Sequence, residues 1–477
     1  MSHPGSVHIP FTSRRGFLRS AGLATGAVAL PTLLAACATS ANQPAAGESK
    51  AAGGPVDPAN PFGVTAGETE AVVFAGGNGV EYLDTALKLF SDKHAGAQIK
   101  VTTTQDIGSL QPRFVNQNPP DTFQNSGAKA LDATALTGNG QLAELEDLMS
   151  APSWDDPDAT VEETLGAGAR LAGTIDGKLV GFNFVQYAWG FWHDAALFTE
   201  RGWEVPTTWE DLMTLCAKIK SEGIAPLAFT GMHPYYVTNG MLQPLVAKIG
   251  GQDVWKSVDN LEEGAWHQDA IIQAVDALRQ FRTDDFILPG VAQMTHIQSQ
   301  TAWLGHQAAF IPVGAWLENE MRSAIPEGFA LTATALPGPG GERSDLTPNN
   351  AGAAWYVPAQ AKNMAGAKEL LRSLVSKEVA RKFAEMTNNV TVVKGAHDDQ
   401  DLGPAFASIS TMIKKSDAVE PWQPVKFGSW YKSLDTEAAA ALMAVMLGDL
   451  DAKGFADRCQ KKADEVKADS KIKKLTR

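Results

Sequence analysis

Residues able to do covalent chemistry are plentiful in this 477-residue chain, but their spacing matches no catalytic pattern. There is no GxSxG nucleophile turn, no HExxH zinc helix and no GxxxxGK phosphate loop. The nine histidines are scattered, and none pairs at metal-ligand spacing; His3 and His8 fall in the leader. His193, His233, His267, His296 and His306 read as surface or satisfied core residues. Acids exclude less, because the two carboxylates of a glycoside-cleaving pair need no proximity in sequence. Glu318 and Glu320 follow Trp316 closely and read as residues that open or decorate a helix. No catalytic residue, metal site or cofactor is expected.

The chain is better equipped to hold a ring than to break one. The first of its twelve tryptophans is Trp154, and the other eleven run from Trp189 to Trp430. A pyranose ring packs its apolar CH face on an aromatic ring, and its hydroxyls need a polar rim. Trp303, Trp316, Trp355, Trp430, Tyr187, Tyr235 and Tyr236 are the candidate walls, with Trp189 beside them. Asn78, Gln105, Asn125, Ser126, Gln186 and Asn350, in loops, are the candidate rim. Trp203 and Trp209 read as structural. Trp316 leaves a strand through Gly314 and starts a helix, which places it at a cleft edge as a stacking platform.

The elements that must carry these residues read as α/β. Ala71-Val72-Val73-Phe74 is a buried-strand pattern ending in Gly76-Gly77-Asn78-Gly79. Tyr82, Leu83, Ala86, Leu87 and Phe90 then share a helix face, and 98–104 alternates as a second strand. A β–loop–α–β start implies a parallel sheet with the glycine loop at the strand's carboxyl end. That loop lacks dinucleotide or P-loop spacing. Asp176-Gly177 reads as a hairpin turn, and Thr207-Thr208-Trp209-Glu210 as a capping box before a helix that points Cys216 inward. Cys459 also sits on a core-facing helix stripe, and the sequence leaves a Cys216–Cys459 bridge open. Further helices are expected near 267–281, 294–306, 315–325, 363–387, 403–416, 429–448 and 451–468. Strands are expected at 308–313, 329–336 and 353–359.

The first residues read as an address. Arg14-Arg15 with Phe17-Leu18 precedes an apolar run of Ala21–Ala36, a basic n-region and short h-region of the twin-arginine type. Leu34-Ala35-Ala36-Cys37 has the form of a lipobox, in which Cys37 is acylated and becomes the new N-terminus. Several acyl chains on one residue anchor stably where one would not. Residues 38–67 are rich in Ala, Gly, Pro, Ser and Asn and read as a flexible tether reaching on the order of 30 Å. The formal charge is −14; without Arg14, Arg15 and Arg19 the 40 bases become 37 against 54 acids, or −17. An acidic chain with no basic run does not suit nucleic acid. No run of 18 apolar residues occurs to span a membrane.

The lipobox, Pro119-Pro120-Asp121, Asp176-Gly177-Lys178, Pro206-Thr207-Thr208-Trp209 and Val313-Gly314-Ala315-Trp316, in this order, resemble the family 1, maltodextrin-type extracellular solute-binding proteins of carbohydrate ABC importers. The likeness runs from about residue 70 to the end. Leu110-Gln111-Pro112-Arg113-Phe114-Val115, Asn125-Ser126-Gly127-Ala128, Ser299-Gln300-Thr301-Ala302-Trp303-Leu304, Trp316-Leu317-Glu318-Asn319-Glu320-Met321 and Thr391-Val392-Val393-Lys394-Gly395 are similar to the N-acetylglucosamine/diacetylchitobiose-binding lipoproteins of actinobacteria. Ala353 stands where that pattern has Glu, and the loop 76–80 diverges.

The resemblance implies an α/β, two-lobed periplasmic-binding-protein-like fold, with hinge crossovers and a ligand cleft between the lobes. Residues 1–36 would be the signal and 37–67 the tether. The N-lobe would be 68–188 with 340–374, and the C-lobe 189–339 with 375–477. Crossings are expected near Gln186–Trp192, Leu336–Gly341 and Ser373–Ser376. Asn78, Gln105, Asn125 and Ser126 would rim the first lobe, and Tyr235, Tyr236, Trp316 and Trp430 would line the second. Glu318 or a backbone carbonyl would accept an acetamido N–H. The implied protein is a monomer that binds a mono- or oligosaccharide and hands it to ABC permease subunits. It would sit on the extracytoplasmic face of the membrane, held by its N-terminal lipid alone. A secreted glycoside-acting enzyme and a polysaccharide-binding adhesin are the alternative readings.

Overall fold

The computed structural model describes residues 54–477, apart from 77, 128 and 167. The segment read as a signal, Cys37 and the first part of the expected tether lie outside the described residues.

Gly67–Phe74 and Ala97–Thr104 pair in parallel over their full length. The helix Leu83–Lys93 joins them and buries Leu83, Ala86 and Phe90. A helical crossover of this kind is what a parallel pair requires. The sheet runs Ala97–Thr104, Gly67–Phe74, Thr122–Gln124, Trp355–Tyr356, Gly181–Phe182, with Trp355–Tyr356 antiparallel to both neighbours. The second sheet runs Leu331–Thr334, Val185–Asp194, Ala308–Gly314, Ala225–Leu227. Each sheet has its own apolar core, the first around Val73, Phe184, Leu370 and Phe383, the second around Phe191, Ile271, Phe310 and Leu442. Two cores on one chain are the two-lobed α/β architecture.

One strand serves both lobes. Val185 of Val185–Asp194 lies in the first core and Ala188 in a core of the second lobe. Asn349–Gly352 and Val390–Thr391 pair with its opening residues. Leu346 is buried in the second lobe and Ala353 in the first, so the chain returns through 347–353 and not through Leu336–Gly341. Pro337–Gly341 stays with the second lobe. Trp209 N–H donates to the Gly338 carbonyl at 2.7 Å, and the Lys248 ammonium donates to the carbonyls of Leu336 and Ser344. Proline and glycine signal a turn, not what the turn connects. The expected crossing at Ser373–Ser376 is a break between the helices Met364–Leu374 and Lys377–Thr387. Val379, Ala380 and Phe383 of the second helix remain in the first core.

Lys248 is buried and makes a pH-dependent prediction. Burial pushes its ammonium down to about 7, against the pull of Asp345. Above that value the unfolded chain holds a proton that the folded chain does not, so stability rises from about pH 7 towards the ordinary lysine value. Lys248→Met is expected to cost about 1–3 kcal/mol, from two carbonyls left without a donor. It is also expected to abolish that rise, which urea midpoints at about pH 7 and 9.5 would show.

Residues 54–66, expected as tether, are folded against the body. The Asn60 amide accepts from Val64 N–H at 2.8 Å and donates to the Val64 carbonyl at 3.1 Å. Val64 packs with Phe90 and Ala97, and Phe62 packs on the first core. Two apolar side chains and one doubly bonded Asn are enough to order a segment whose composition reads as loose. The Asp176-Gly177 hairpin forms with φ of 52° and 76°, and the capping box lies one residue beyond Thr207–Glu210, between Thr208 and Asp211. Cys216 and Cys459 are buried and free.

Candidate functional site

A cavity of about 460 Å³ opens at the carboxyl ends of the first sheet's central strands. Phe74, Gly76, Asn78 and Gly79 line it after Gly67–Phe74, and Gln124, Ser126 and Gly127 line it after Thr122–Gln124. The Phe74 ring fits between two glycines. A Cβ on Gly76 would lie 2.1 Å from the ring, and one on Gly127 would lie 2.4 Å from it. Gly127 also has φ +86°, which glycine adopts freely. Asn78 Nδ2 donates to the Tyr187 hydroxyl at 2.9 Å, which ties the glycine loop to the strand shared by the lobes. Burial pushes the Tyr187 hydroxyl up, so it stays a neutral donor and acceptor.

The opposite wall is aromatic. Trp316 follows the buried strand Ala308–Gly314 and folds back over its end. A Cβ on Gly314 would sit 2.0 Å from the indole, so the ring's position requires glycine there. Tyr187, Trp189 and Tyr236 meet Trp316 edge-on, with centroids 5.7, 5.0 and 6.3 Å away. Tyr235 and Tyr236 start a continuous helix that runs to Gly250 and widens to a π turn at Thr238–Leu242. Pro244 explains the wide turn, since its ring would clash with the carbonyl four residues back in a regular helix.

Glu320, His296 and Ala353 complete the lining. His296 opens His296–Leu304, which Thr295 caps in a box with Gln298. Gln300 Nε2 donates to Glu320 Oε2 at 2.8 Å, and His296 Nε2 lies 3.4 Å from Oε1. His233 packs on His296 at 5.1 Å, and burial together with the His296 charge holds it below the usual histidine value.

Of the residues singled out in the sequence, Asn78, Ser126, Tyr187, Tyr235, Tyr236, Trp316 and the divergent Ala353 line this cavity together. The others are elsewhere. Gln105 is exposed past the end of its strand. Asn125 spends its amide on the Leu131 backbone, at 2.9 and 2.8 Å. Trp303 and Trp355 are 1% and 0% exposed, each inside a core. Asn350 pairs with Tyr187 across the hinge strands, and Glu318 sits half-buried on the helix that presents Glu320; neither lines the cavity. Trp430 lines a separate cavity of about 230 Å³ with Leu171, Asp176 and Lys426. Phe74, Gln124, His296 and Glu320 went unselected. They lie at the ends or on the faces of regular elements, where type and spacing look like packing or solvation. The clue for Gln124 was its place just before Asn125-Ser126.

A groove of about 650 Å³ between Val205–Thr207, Ala333–Ala335 and Ser408–Met412 contains none of these residues. Among the described residues, no group of three His, Cys, Asp or Glu could hold a metal ion, and no helix is long and apolar enough to cross a membrane.

Comparison with known proteins bears on the fold and the family. The chain is 30% identical to the diacetylchitobiose binding protein NgcE of Streptomyces coelicolor, over 97% of this chain and 99% of the relative. It is 25% identical to a probable sugar-binding periplasmic protein of Rhizobium meliloti, over 38% of this chain and 41% of that one. A solved chitin oligosaccharide binding protein superposes with a TM-score of 0.66 at 17% identity, covering 84% of this chain and 98% of its own. RafE in complex with raffinose superposes with a TM-score of 0.62 at 16% identity, covering 84% and 100%. The family model for bacterial extracellular solute-binding proteins matches residues 85–408. The chain belongs to the family of bacterial extracellular solute-binding proteins.

Proposed function

We propose that this protein is the lipid-anchored sugar-binding subunit of an ABC importer, with Cys37 as its anchor. It captures N-acetylglucosamine or diacetylchitobiose and delivers it to the membrane permease. The observation that carries the reading is one cavity with Tyr235, Tyr236 and Trp316 on one side and Asn78, Gln124 and Ser126 on the other. Aromatic faces take the CH face of a pyranose, and the amides and hydroxyls take its rim. The likeness to NgcE along nearly the whole chain supports the acetylated sugar.

The two walls belong to different cores joined through Val185–Asp194 and its two short partners. A sugar touching both walls favours the closed arrangement by its differential affinity. Calorimetry tests the reading. A soluble form beginning at Gly54, unfolded and refolded to strip bound sugar, is titrated with N-acetylglucosamine, diacetylchitobiose, maltose and cellobiose. The expected result is binding of the acetylated sugars at about 1 μM or tighter, near −8 kcal/mol, with no turnover. Binding of maltose or cellobiose alone would overturn the substrate. Release of monosaccharide from the disaccharide would overturn the transport role.

A further inference from the structure

We infer that the cavity also takes a glucosamine oligosaccharide carrying a free 2-ammonium group, with the Glu320 carboxylate as the group that reads that charge. The inference rests on the sugar-binding reading of the same cavity and adds a ligand class to it.

Glu320 is the one Asp, Glu, Lys or Arg among the described residues lining the cavity. It is held in place, with Oε2 accepting from Gln300 Nε2 at 2.8 Å; Gln300 is itself fully buried. Oε1 faces His296 Nε2 at 3.4 Å, longer than a charge-assisted hydrogen bond, and so retains acceptor capacity. Tyr235, Tyr236 and Trp316 line the same space. Aromatic faces attract a cation through their quadrupole, and a carboxylate beside them adds a charge-assisted hydrogen bond. Aromatic walls with a single fixed carboxylate are the chemistry that recognises an ammonium group. A neutral acetamide would use Glu320 only as a hydrogen-bond acceptor, whereas an ammonium adds a positive partner to a carboxylate that otherwise faces His296 Nε2 at 3.4 Å. His233 is held below the usual histidine value, and His296, in the lining and 3.4 Å from Glu320, is the group that would compete with an ammonium when protonated. The formal charge of −14 also draws a cationic sugar toward the protein.

The test compares the β-1,4-linked glucosamine disaccharide with its di-N-acetylated counterpart by calorimetry, on the wild type and on Glu320→Gln. The expected result is that the wild type binds both. The ratio of amine to acetylated affinity then falls on the order of 30-fold in Glu320→Gln, the worth of one charge-assisted hydrogen bond. In the wild type alone the same ratio falls as salt rises from about 0.05 to 0.5 M, because only the ammonium contact is screened; this arm needs no variant to fold. Acetylated binding with no amine binding overturns the inference and leaves the transport reading standing. An amine-to-acetyl ratio unmoved by salt and by Glu320→Gln also overturns it. Amine binding that depends on Glu320, without acetylated binding, keeps the inference and overturns the acetylated substrate. Silence from both sugars overturns both.

Discussion

Trp316→Ala is expected to weaken binding of the preferred sugar on the order of 100-fold, about 2.7 kcal/mol. The ring lines the cavity while Tyr187, Trp189 and Tyr236 meet it edge-on. Truncation therefore removes the stacking face and also frees the three rings that frame it. The loss should appear in calorimetry with little change in melting temperature, because Trp316 is only half-buried and belongs to no strand or helix interior. Trp303→Ala and Trp355→Ala should do the reverse, since each opens a cavity in a core and costs about 3–5 kcal/mol of stability. An affinity within threefold of wild type in Trp316→Ala would remove the platform from the mechanism.

Arg372→Met is expected to destabilise the fold by about 3–5 kcal/mol, the cost of breaking a buried ion pair from one side. Arg372 and Glu369 have side chains 1% and 0% exposed. The guanidinium donates to Glu369 at 2.8 and 2.7 Å and to the Pro152 and Ser153 carbonyls, and His94 Nε2 lies 2.8 Å from the same carboxylate. Trp154 packs on the guanidinium at 4.8 Å. Burial pushes the Glu369 carboxyl up, but the bonds from His94 and Arg372, with the Arg372 charge, hold it below the usual glutamate value. A carboxyl lowered by folding contributes stability above its unfolded value and loses it as pH falls through the folded one. The wild type should therefore weaken on acidification more steeply than Arg372→Met, which denaturant midpoints across the acid range would measure. Equal slopes would show that the network carries no net charge coupling.

The sequence made the first β–α–β unit legible because its apolar positions change period from two to 3.6 around a glycine loop. The same loop logic located Asn78 and Ser126, and Gly314 located Trp316. Trp303 and Trp355 misled for a physical reason: a tryptophan in a core and one on a platform have the same local pattern, and only the third dimension separates them. Glu320 and His296 were hidden on helix faces that read as solvated. Pro337–Gly341 looked like a hinge because breakers reveal a turn, whereas the passage itself, 347–353, has its Pro348 and Gly352 at the two ends of a short strand and reads as a strand, not a hinge.

The π turn at Thr238–Leu242 makes the position of Tyr235 and Tyr236 depend on a count of residues. Each helical residue turns the chain by about 100°. Five residues of a π turn advance the chain by about as much as four α-helical ones, so dropping one residue there would restore a regular helix with Tyr235 and Tyr236 still in phase with Leu245 and Val246 in the core. Gly240 faces Pro312 and Trp189, so the extra residue is also packed against the neighbouring strands. The segment therefore tolerates the loss of one residue better than the gain of one. A single-codon insertion there would have no further turn to absorb it and would rotate the tyrosine pair off the cavity by about 100°.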